Sequence, residues 1–123
     1  MSKLPSNRAF KTVWLRKAAK KARITDEALR AAVAEVMRGQ ADDLGGGVSK
    51  KRLNDNMHRS IILAKGGRHW IFAYLFAKKD RANIEADELA AFKKLAHAYS
   101  QMTEAQLAAS LNEGDLQELL DVK

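Results

Sequence analysis

The spacing of apolar side chains is clearest after Thr25, where it predicts an amphipathic helix. Apolar residues recur there at helical intervals, at Leu29, Ala32, Val33, Val36 and Met37. Thr25 is suited to cap this helix, because Asp26 and Glu27 follow in the first turn, where the helix dipole favours anions. Gly39 is placed to end it.

The segments on either side of this helix have different patterns. Phe10 to Trp14 has the composition of a short strand. The basic run from Arg16 to Lys21 alternates too little for a strand and predicts an exposed helix. Asp42 to Gly47 predicts a turn, because its consecutive glycines are free to adopt positive φ angles. These glycines lack the spacing and the Lys-Ser/Thr pair of a P-loop, so a flexible entry to a strand is the preferred interpretation.

Three segments in the middle of the chain have the character of β-strands: Val48–Leu53, Met57–Ala64 and Arg68–Ala77. The Asn and Gly residues that separate them are typical of hairpins, and together the segments predict an antiparallel meander. The last segment is apolar on both faces, as expected of a central strand that is covered on both sides. Periodicity alone also allows a helix there, but the aromatic and branched side chains favour a strand.

The C-terminal part of the chain predicts helices. One apolar stripe consists of Leu89, Phe92, Leu95, Ala96 and Tyr99. Thr103 and Gln106 match a capping box that opens a second helix to about Leu111, and Gly114 breaks it. We therefore predict an α+β fold in which an antiparallel sheet of about three to four strands packs against helices. A single domain would span residues 1–123, with a core at about 10–100 and an acidic helical extension at 103–123.

Composition excludes several classes of protein. The chain has 123 residues, 46% of them hydrophobic, which suits one globular domain and argues against a disordered tail. Cysteine is absent, so disulfides and thiolate zinc sites are excluded, and a reducing cytoplasm is expected. The sequence contains no apolar run long enough for a membrane span, and its first residues lack the apolar core of a signal peptide.

Charge is distributed unevenly along the chain. Residues 1–82 carry 19 basic and 7 acidic side chains, whereas residues 83–123 carry 3 basic and 8 acidic ones. A basic body of this kind attracts polyanions, and nucleic acid is the usual partner. Charge alone leaves open the alternative that the lysines and arginines only maintain solubility.

Strand alternation suggests where the basic side chains meet. Lys50 and Arg52 point to the same face of their strand, whereas Lys51 points with Leu53. Arg59 begins the next strand, and Lys78, Lys79 and Arg81 follow the last one. In a meander these cations can converge on one face of the sheet.

Such a cluster suits the cleavage of RNA by its own 2′-OH. Lysine and arginine can stabilise the charge that develops on the phosphorane and can assist the leaving group. This reaction requires no metal or small-molecule cofactor, and we predict none. Because a cationic cluster alone also fits simple binding, a group that titrates near neutral pH is needed as general acid or base.

The histidines and aromatic residues supply further candidates. His58 adjoins Arg59 and is a candidate for acid–base chemistry or RNA contact, with a surface role equally open. His69 is a weaker candidate, and His97 is expected to be structural. Four aromatic residues could stack on bases, although core positions are favoured for aromatics in apolar strands: Trp14, Trp70, Phe72 and Tyr74.

Two motifs carry a resemblance to a known family. LGGGVSKKR, followed by HRSIIL and RHWIFAYLFAKKDRANI, resembles the RelE/HigB toxins of bacterial type II toxin–antitoxin systems, from about Phe10 to Leu120. The resemblance implies a small fold of helices on an antiparallel sheet. It also implies a metal-independent endoribonuclease that cleaves mRNA, typically on the ribosome, and an antitoxin protein as partner.

The resemblance assigns roles to individual residues. The family's catalytic basic positions fall on Lys50, Arg52, Arg59 and Lys79, and His58 remains the candidate acid–base group. Neighbouring cations are expected to bind the RNA, namely Lys51, Lys65, Arg68, Lys78 and Arg81. Two features depart from the family: the loop from Asn54 to His58 is short, and no tyrosine follows the last strand near Ile84.

Other functions remain open at this stage. A toxin of the same fold that poisons DNA gyrase, as ParE relatives do, would need no cationic active site. A non-catalytic nucleic-acid-binding module would bind RNA or DNA in a salt-dependent way without cutting it. An enzyme for a small anionic metabolite is disfavoured, since no cofactor motif is present. The C-terminal acidic segment could contact either the basic face or the antitoxin.

Overall fold

A computed structural model describes residues 8–65 and 69–119, except for the side chain of Lys65. In chain order, the elements are β1 (Arg8–Thr12), α1 (Val13–Lys21), α2 (Asp26–Met37), β2 (Asp42–Gly45), β3 (Val48–Leu53), β4 (His58–Lys65), β5 (His69–Ala77), α3 (Ala86–Ser100), α4 (Glu104–Glu113) and β6 (Leu116–Leu119). The predicted α+β class is confirmed.

The strands form one sheet in the order β2-β3-β4-β5-β1-β6. The predicted meander of β3, β4 and β5 is confirmed, and β5 lies inside the sheet, as its apolar pattern indicates. β1 pairs in parallel with β5, and the other neighbours are antiparallel. The described sheet therefore has six strands rather than the three to four expected.

Two segments form strands where none was predicted. Asp42–Gly45 pairs with β3, so the turn predicted from Asp42 begins only at Gly46, four residues later. Gly45, Gly46 and Gly47 all have positive φ. Leu116–Leu119 pairs with β1, so the predicted helical extension over 103–123 is wrong at this point. Segments of four residues are too short for periodicity to identify, and tertiary pairing decides their structure.

The N-terminal strand ends earlier than predicted. β1 stops at Thr12, whose hydroxyl accepts a hydrogen bond from the Leu15 amide and so caps α1. Val13 and Trp14 therefore belong to the helix and not to the strand. The prediction of a helix for the basic run from Arg16 to Lys21 is confirmed.

The helices cover the sheet on both sides and create two cores. On the α1–α2 face, the buried side chains include Leu15, Leu29, Val33, Leu53, Ile62 and Phe72. On the α3–α4 face, they include Phe10, Val48, Ile61, Leu63, Ile71 and Leu107. Neighbouring residues of one strand, such as Ile61 and Ile62, belong to different cores because side chains alternate along a strand.

The predicted helix boundaries mostly agree with the structure. Thr25 caps α2 through its hydroxyl, and Thr103 and Gln106 form the expected capping box at α4. Gly114 ends α4 in the left-handed conformation. Leu95 is the exception in the predicted apolar stripe of α3, because its side chain is exposed. In the described part of the chain, no helix is both long enough and apolar enough to cross a bilayer.

Candidate functional site

Four basic side chains assemble at one end of the α3–α4 face and are called here the cationic cluster: Lys50, Arg52, Arg59 and Arg81. Lys50 and Arg52 lie on β3, on the same face as buried Val48, as strand alternation predicts. Arg59 lies on β4, and Arg81 comes from the loop after β5.

Arg52 and Arg59 face each other directly across β3 and β4. Arg59 donates to the carbonyl oxygens of Asn56 and His58, at 2.9 and 3.2 Å, which fixes its guanidinium near the β3–β4 turn. Neither arginine forms an ion pair with a carboxylate of residues 8–65 or 69–119. Their positive charge is therefore available to an anionic ligand.

Arg81 reaches the cluster over the ring of Phe76, which is the cross-strand partner of Arg59. Its guanidinium carbon lies 5.5 Å from the ring centroid, and Nη1 donates to the Tyr74 hydroxyl at 3.2 Å. Arg81 also forms a bidentate ion pair with Glu88 at the start of α3. Hydrogen bonds from Arg81 and from the Glu85 amide lower the pKa of Glu88, and Glu88 in turn raises the pKa of Arg81.

Lys50 is held between two polar neighbours. Its Nζ lies 3.4 Å from Asn83 Oδ1 and 4.0 Å from Asp42 Oδ2. Asp42 is itself the cross-strand partner of Lys50 on β2. The unexpected strand β2 thus supplies an ion-pair partner for this lysine, at the outer limit of ion-pair distance.

Lys51 does not join the cluster. It points to the α1–α2 face, where its ammonium lies 2.6 Å from Glu35 Oε1 and donates to the Gln40 carbonyl at 3.0 Å. This hydrogen bond and the lysine charge lower the pKa of Glu35. The strand-parity prediction that Lys51 is peripheral to Lys50 and Arg52 is therefore confirmed.

His58 also lies away from the cluster, although it precedes Arg59 in sequence. It pairs across the sheet with Leu53 and Ala77, so strand alternation directs it to the opposite face from Arg59. Its Nδ1 atom lies 3.1 Å from Nδ2 of Asn54. Neighbouring residues of a strand point to opposite faces of the sheet, and His58 and Arg59 accordingly lie on different faces.

Lys79 accompanies His58 rather than the cluster. Both line a depression of about 590 Å³ at the β3–β4 turn, together with exposed Lys78. Both also line a second cavity of about 490 Å³, which Trp14, Lys21, Tyr74 and Arg81 border as well and which we call the edge cleft. Since Arg81 belongs to the cluster and borders the cleft, the two sites are contiguous. Arg68 and the side chain of Lys65 lie outside the described residues.

The remaining histidines and aromatics divide as follows. Phe72 is fully buried and Trp70 packs against the α1–α2 core, as favoured from the sequence. His69 is buried and stacks on Phe10. His97, for which the sequence predicts a structural role, is exposed on α3. Trp14 differs from the core prediction, because half of its surface is exposed.

Sequence reasoning missed three residues at this site, Tyr74, Asn83 and Glu88. Tyr74 was considered only for stacking or for the core. A β-bulge at Ile61 and Ile62 shifts the β4–β5 register, so that Tyr74 packs on the α3–α4 face and its hydroxyl reaches Arg81. Bulges carry little signal in one sequence. The ion pair was indicated in the sequence by the position of Arg81 just before α3 and of Glu88 in the first turn of α3.

No group of three or more His, Asp and Glu side chains within the described ranges is arranged to hold a metal ion. The guanidinium and ammonium groups of the cluster can bind phosphate, and an imidazole and a phenol line the adjoining edge cleft.

Comparison with known families gives one match. A family model described as the RelE toxin of the RelE/RelB toxin–antitoxin system matches residues 7–119. This range includes every element of the sheet, the cationic cluster and the edge cleft. No curated protein matches the chain.

Proposed function

The chain belongs to the RelE toxin family, and we propose that it acts as an endoribonuclease that cleaves mRNA and thereby inhibits translation. As a toxin of a toxin–antitoxin system, it has an antitoxin as its partner. The mRNA substrate, a requirement for the ribosome and a cytoplasmic site of action are parts of the proposal.

The observation that carries this proposal is the unneutralised pair Arg52 and Arg59. Like charges directly opposite each other across two strands destabilise a sheet. A phosphate between the two guanidinium groups would relieve that repulsion and would receive hydrogen bonds from both. Lys50 and Arg81 lie on the same face but have carboxylate neighbours, Asp42 and Glu88. Arg52 and Arg59 therefore carry the unpaired positive charge of the described cluster, which suits a phosphodiester whose charge increases during reaction.

The proposed reaction uses the RNA's own nucleophile. The 2′-oxygen attacks the adjacent phosphorus, the bond to the 5′-oxygen breaks, and the products are a 2′,3′-cyclic phosphate and a 5′-hydroxyl end. The proton lost from the 2′-OH and the proton gained by the 5′-oxygen need a base and an acid. Arg52 and Arg59 stabilise the pentacoordinate phosphorane. His58 lies on the opposite face of the sheet and so is out of hydrogen-bond reach of a phosphate held between them. We propose that groups of the translating ribosome or water take up and supply these two protons.

Dependence on the ribosome fits the shape of the site. The cationic cluster lies at one end of the α3–α4 face, where Arg52 is exposed, and its one candidate imidazole lies on the other face. A substrate held only by this chain would therefore be poorly oriented for in-line attack. We expect the ribosome to hold the 2′-oxygen of the mRNA in line with the scissile phosphate. This positioning would account for most of the rate.

The test compares the chain with a double variant, Arg52→Gln with Arg59→Gln. Each protein is added to a translation system and to the same mRNA without ribosomes, and new 5′ ends are mapped. We expect cuts within the coding region on ribosomes for the parent chain, and at least a ~100-fold slower reaction for the variant, since removing even one such charge-stabilising donor costs about that much.

The control is Lys94→Gln, which removes one charge from an exposed position on α3 and should cut normally. Intact mRNA in both reactions would contradict the proposal. If expression of the chain in bacteria then arrests growth while mRNA stays intact, the target lies elsewhere, for example at gyrase. Salt-dependent RNA binding without any cut would indicate a binding module.

A further inference from the structure

Trp14 is a large aromatic side chain that the fold holds at the surface instead of burying. Half of its area is exposed, although the adjacent Leu15 is completely buried. The indole packs against the ring of Tyr74 at a tilt, with 4.7 Å between the centroids and 31° between the planes. The Tyr74 ring itself packs against the ring of Phe92, with 5.7 Å between the two centroids. The indole is therefore backed by a fixed ring and presents its other surface to solvent.

The edge cleft beside Trp14 exists because β1 is shorter than β5. The last β1 residue paired with β5 is Lys11, opposite Phe72, and the chain then turns into α1. β5 continues to Ala77 without a strand on that side in the described part of the chain. The resulting cavity of about 490 Å³ is comparable in size with small-molecule sites.

The polar lining of the edge cleft is mainly cationic. Lys21 from α1 and Lys79 from the loop after β5 are exposed, and Arg81 borders the cleft from the cationic cluster. Asp80 is its one acidic lining residue among those described. Neither Lys21 nor Lys79 forms an ion pair with a described carboxylate. An aromatic surface flanked by free cations is the arrangement with which proteins bind single-stranded nucleic acid.

We propose that the edge cleft binds one unpaired nucleobase of an RNA strand, stacked on Trp14, with the neighbouring phosphates at Lys21 and Lys79. This inference rests on the proposed function for its ligand, since Arg81 borders both the cationic cluster and the cleft and so makes the two sites contiguous. The stacked base would lie next to the scissile phosphate in the strand. Trp14 would thus hold the nucleotide that neighbours the cut, whichever base that nucleotide carries.

The experiment measures binding of an RNA that cannot be cut, so that its result is independent of activity. The probe is a 2′-O-methyl octanucleotide of uridine, compared with the same octanucleotide lacking its bases. Because the chain has two tryptophans, Trp70→Phe leaves Trp14 as the only indole reporter. We expect the uridine probe to quench Trp14 fluorescence and the abasic probe to quench it much less.

Affinity changes then identify the stacking contact. Trp14→Ala should weaken binding of the uridine probe about tenfold, as expected for losing one stacked base, and leave binding of the abasic probe unchanged. Trp14→Phe keeps an aromatic ring and should retain most of the affinity, which separates stacking from misfolding. Leu95→Ala removes another exposed apolar side chain, on α3, and should bind both probes normally.

The inference would be overturned if the parent and Trp14→Ala bound the uridine probe with equal affinity. It would also be overturned if Trp14→Ala lost the same affinity for both probes. Either result is compatible with mRNA cleavage, which is measured separately. Conversely, a base-dependent contribution from Trp14 in a chain that never cuts mRNA would support the inference and refute the proposed activity.

Discussion

Arg52 and Arg59 hold two like charges opposite each other, an arrangement that a sheet selected only for stability would avoid. Each guanidinium remains without an acidic partner in the described ranges, whereas Lys51, which directly precedes Arg52 in the sequence, is paired with Glu35. The same strand thus carries a neutralised lysine on one face and an unneutralised arginine on the other. This contrast distinguishes residues that stabilise the fold from residues available to a ligand.

Replacing Arg52 with glutamine should therefore increase stability while weakening RNA binding. Relief of the cross-strand repulsion is worth about 0.5 kcal/mol in the free energy of unfolding, measured by urea denaturation at low salt. The gain should shrink at high salt, because the charges are partly exposed and screened. A loss of stability at low salt would show that Arg52 makes a contact that outweighs the repulsion.

The Arg81–Glu88 ion pair should make stability depend on acid pH. The folded pKa of Glu88 is depressed below 4.5, so the stabilisation is complete above that value and is lost as the pH falls through the folded pKa. Glu88→Gln should consequently lower the melting temperature at pH 7. The difference from the parent should disappear at low pH, as followed by circular dichroism. A difference that persists in acid would contradict the ionic origin.

Among the elements, the long and strongly patterned ones could be predicted from sequence and the short ones could not. α2 and α4 have hydroxyl caps. β3, β4 and β5 are segments of strand-like composition with turn residues between them, and β5 is apolar on both faces. β2 and β6 have four residues each and depend on neighbours distant in sequence. Local propensity is too weak to determine the structure of such segments.

The candidate site was predictable to the extent that it depends on strand parity. Parity correctly separated Lys50 and Arg52 from Lys51. It would also have separated His58 from Arg59 had it been applied there, since the two residues are adjacent on β4. The positions of Tyr74 and Glu88 depend on a bulge and on the path of a loop, which the sequence pattern does not encode.

The capping box at the start of α4 provides a test of an element that the sequence identified. The Thr103 hydroxyl accepts from the Gln106 amide at 3.1 Å, and the Gln106 side chain accepts from the Thr103 amide at 2.9 Å. Thr103→Ala should cost about 1 kcal/mol in the free energy of unfolding, whereas Thr103→Ser should be close to neutral. Equal values for the two variants would show that α4 is held by packing alone.

At the scale of the whole molecule, β6 links the two cores and completes the sheet. Leu116 is buried on the α3–α4 face, and Leu119 is buried on the α1–α2 face. Glu118 lies between them in sequence and forms a bidentate ion pair with Arg8 of β1, at 2.7 and 2.8 Å. Part of the acidic C-terminal segment is thus used in strand pairing at the edge of the sheet, and not on the cationic cluster.

Truncating Leu119 should therefore destabilise the entire domain. Its side chain is fully buried, and Leu119→Ala is expected to cost about 3 kcal/mol through lost burial and a residual cavity. The matched replacement Leu95→Ala, at an exposed leucine, should change the free energy of unfolding by less than about 0.5 kcal/mol. Similar costs for the two variants in chemical denaturation would refute an anchoring role for β6.

The pairing of β1 with β6 also brings distant parts of the chain together, since Ala9 lies directly opposite Leu119. This pair lies beside the beginning of β5, near Trp70, whereas Arg52, Arg59 and Phe76 lie toward the other end of the strands. A short peptide linker could join the two neighbouring strands in a circular permutant, and a fluorophore or surface tether attached there would leave the cluster accessible. The topology thus offers one attachment point that is remote from the proposed chemistry.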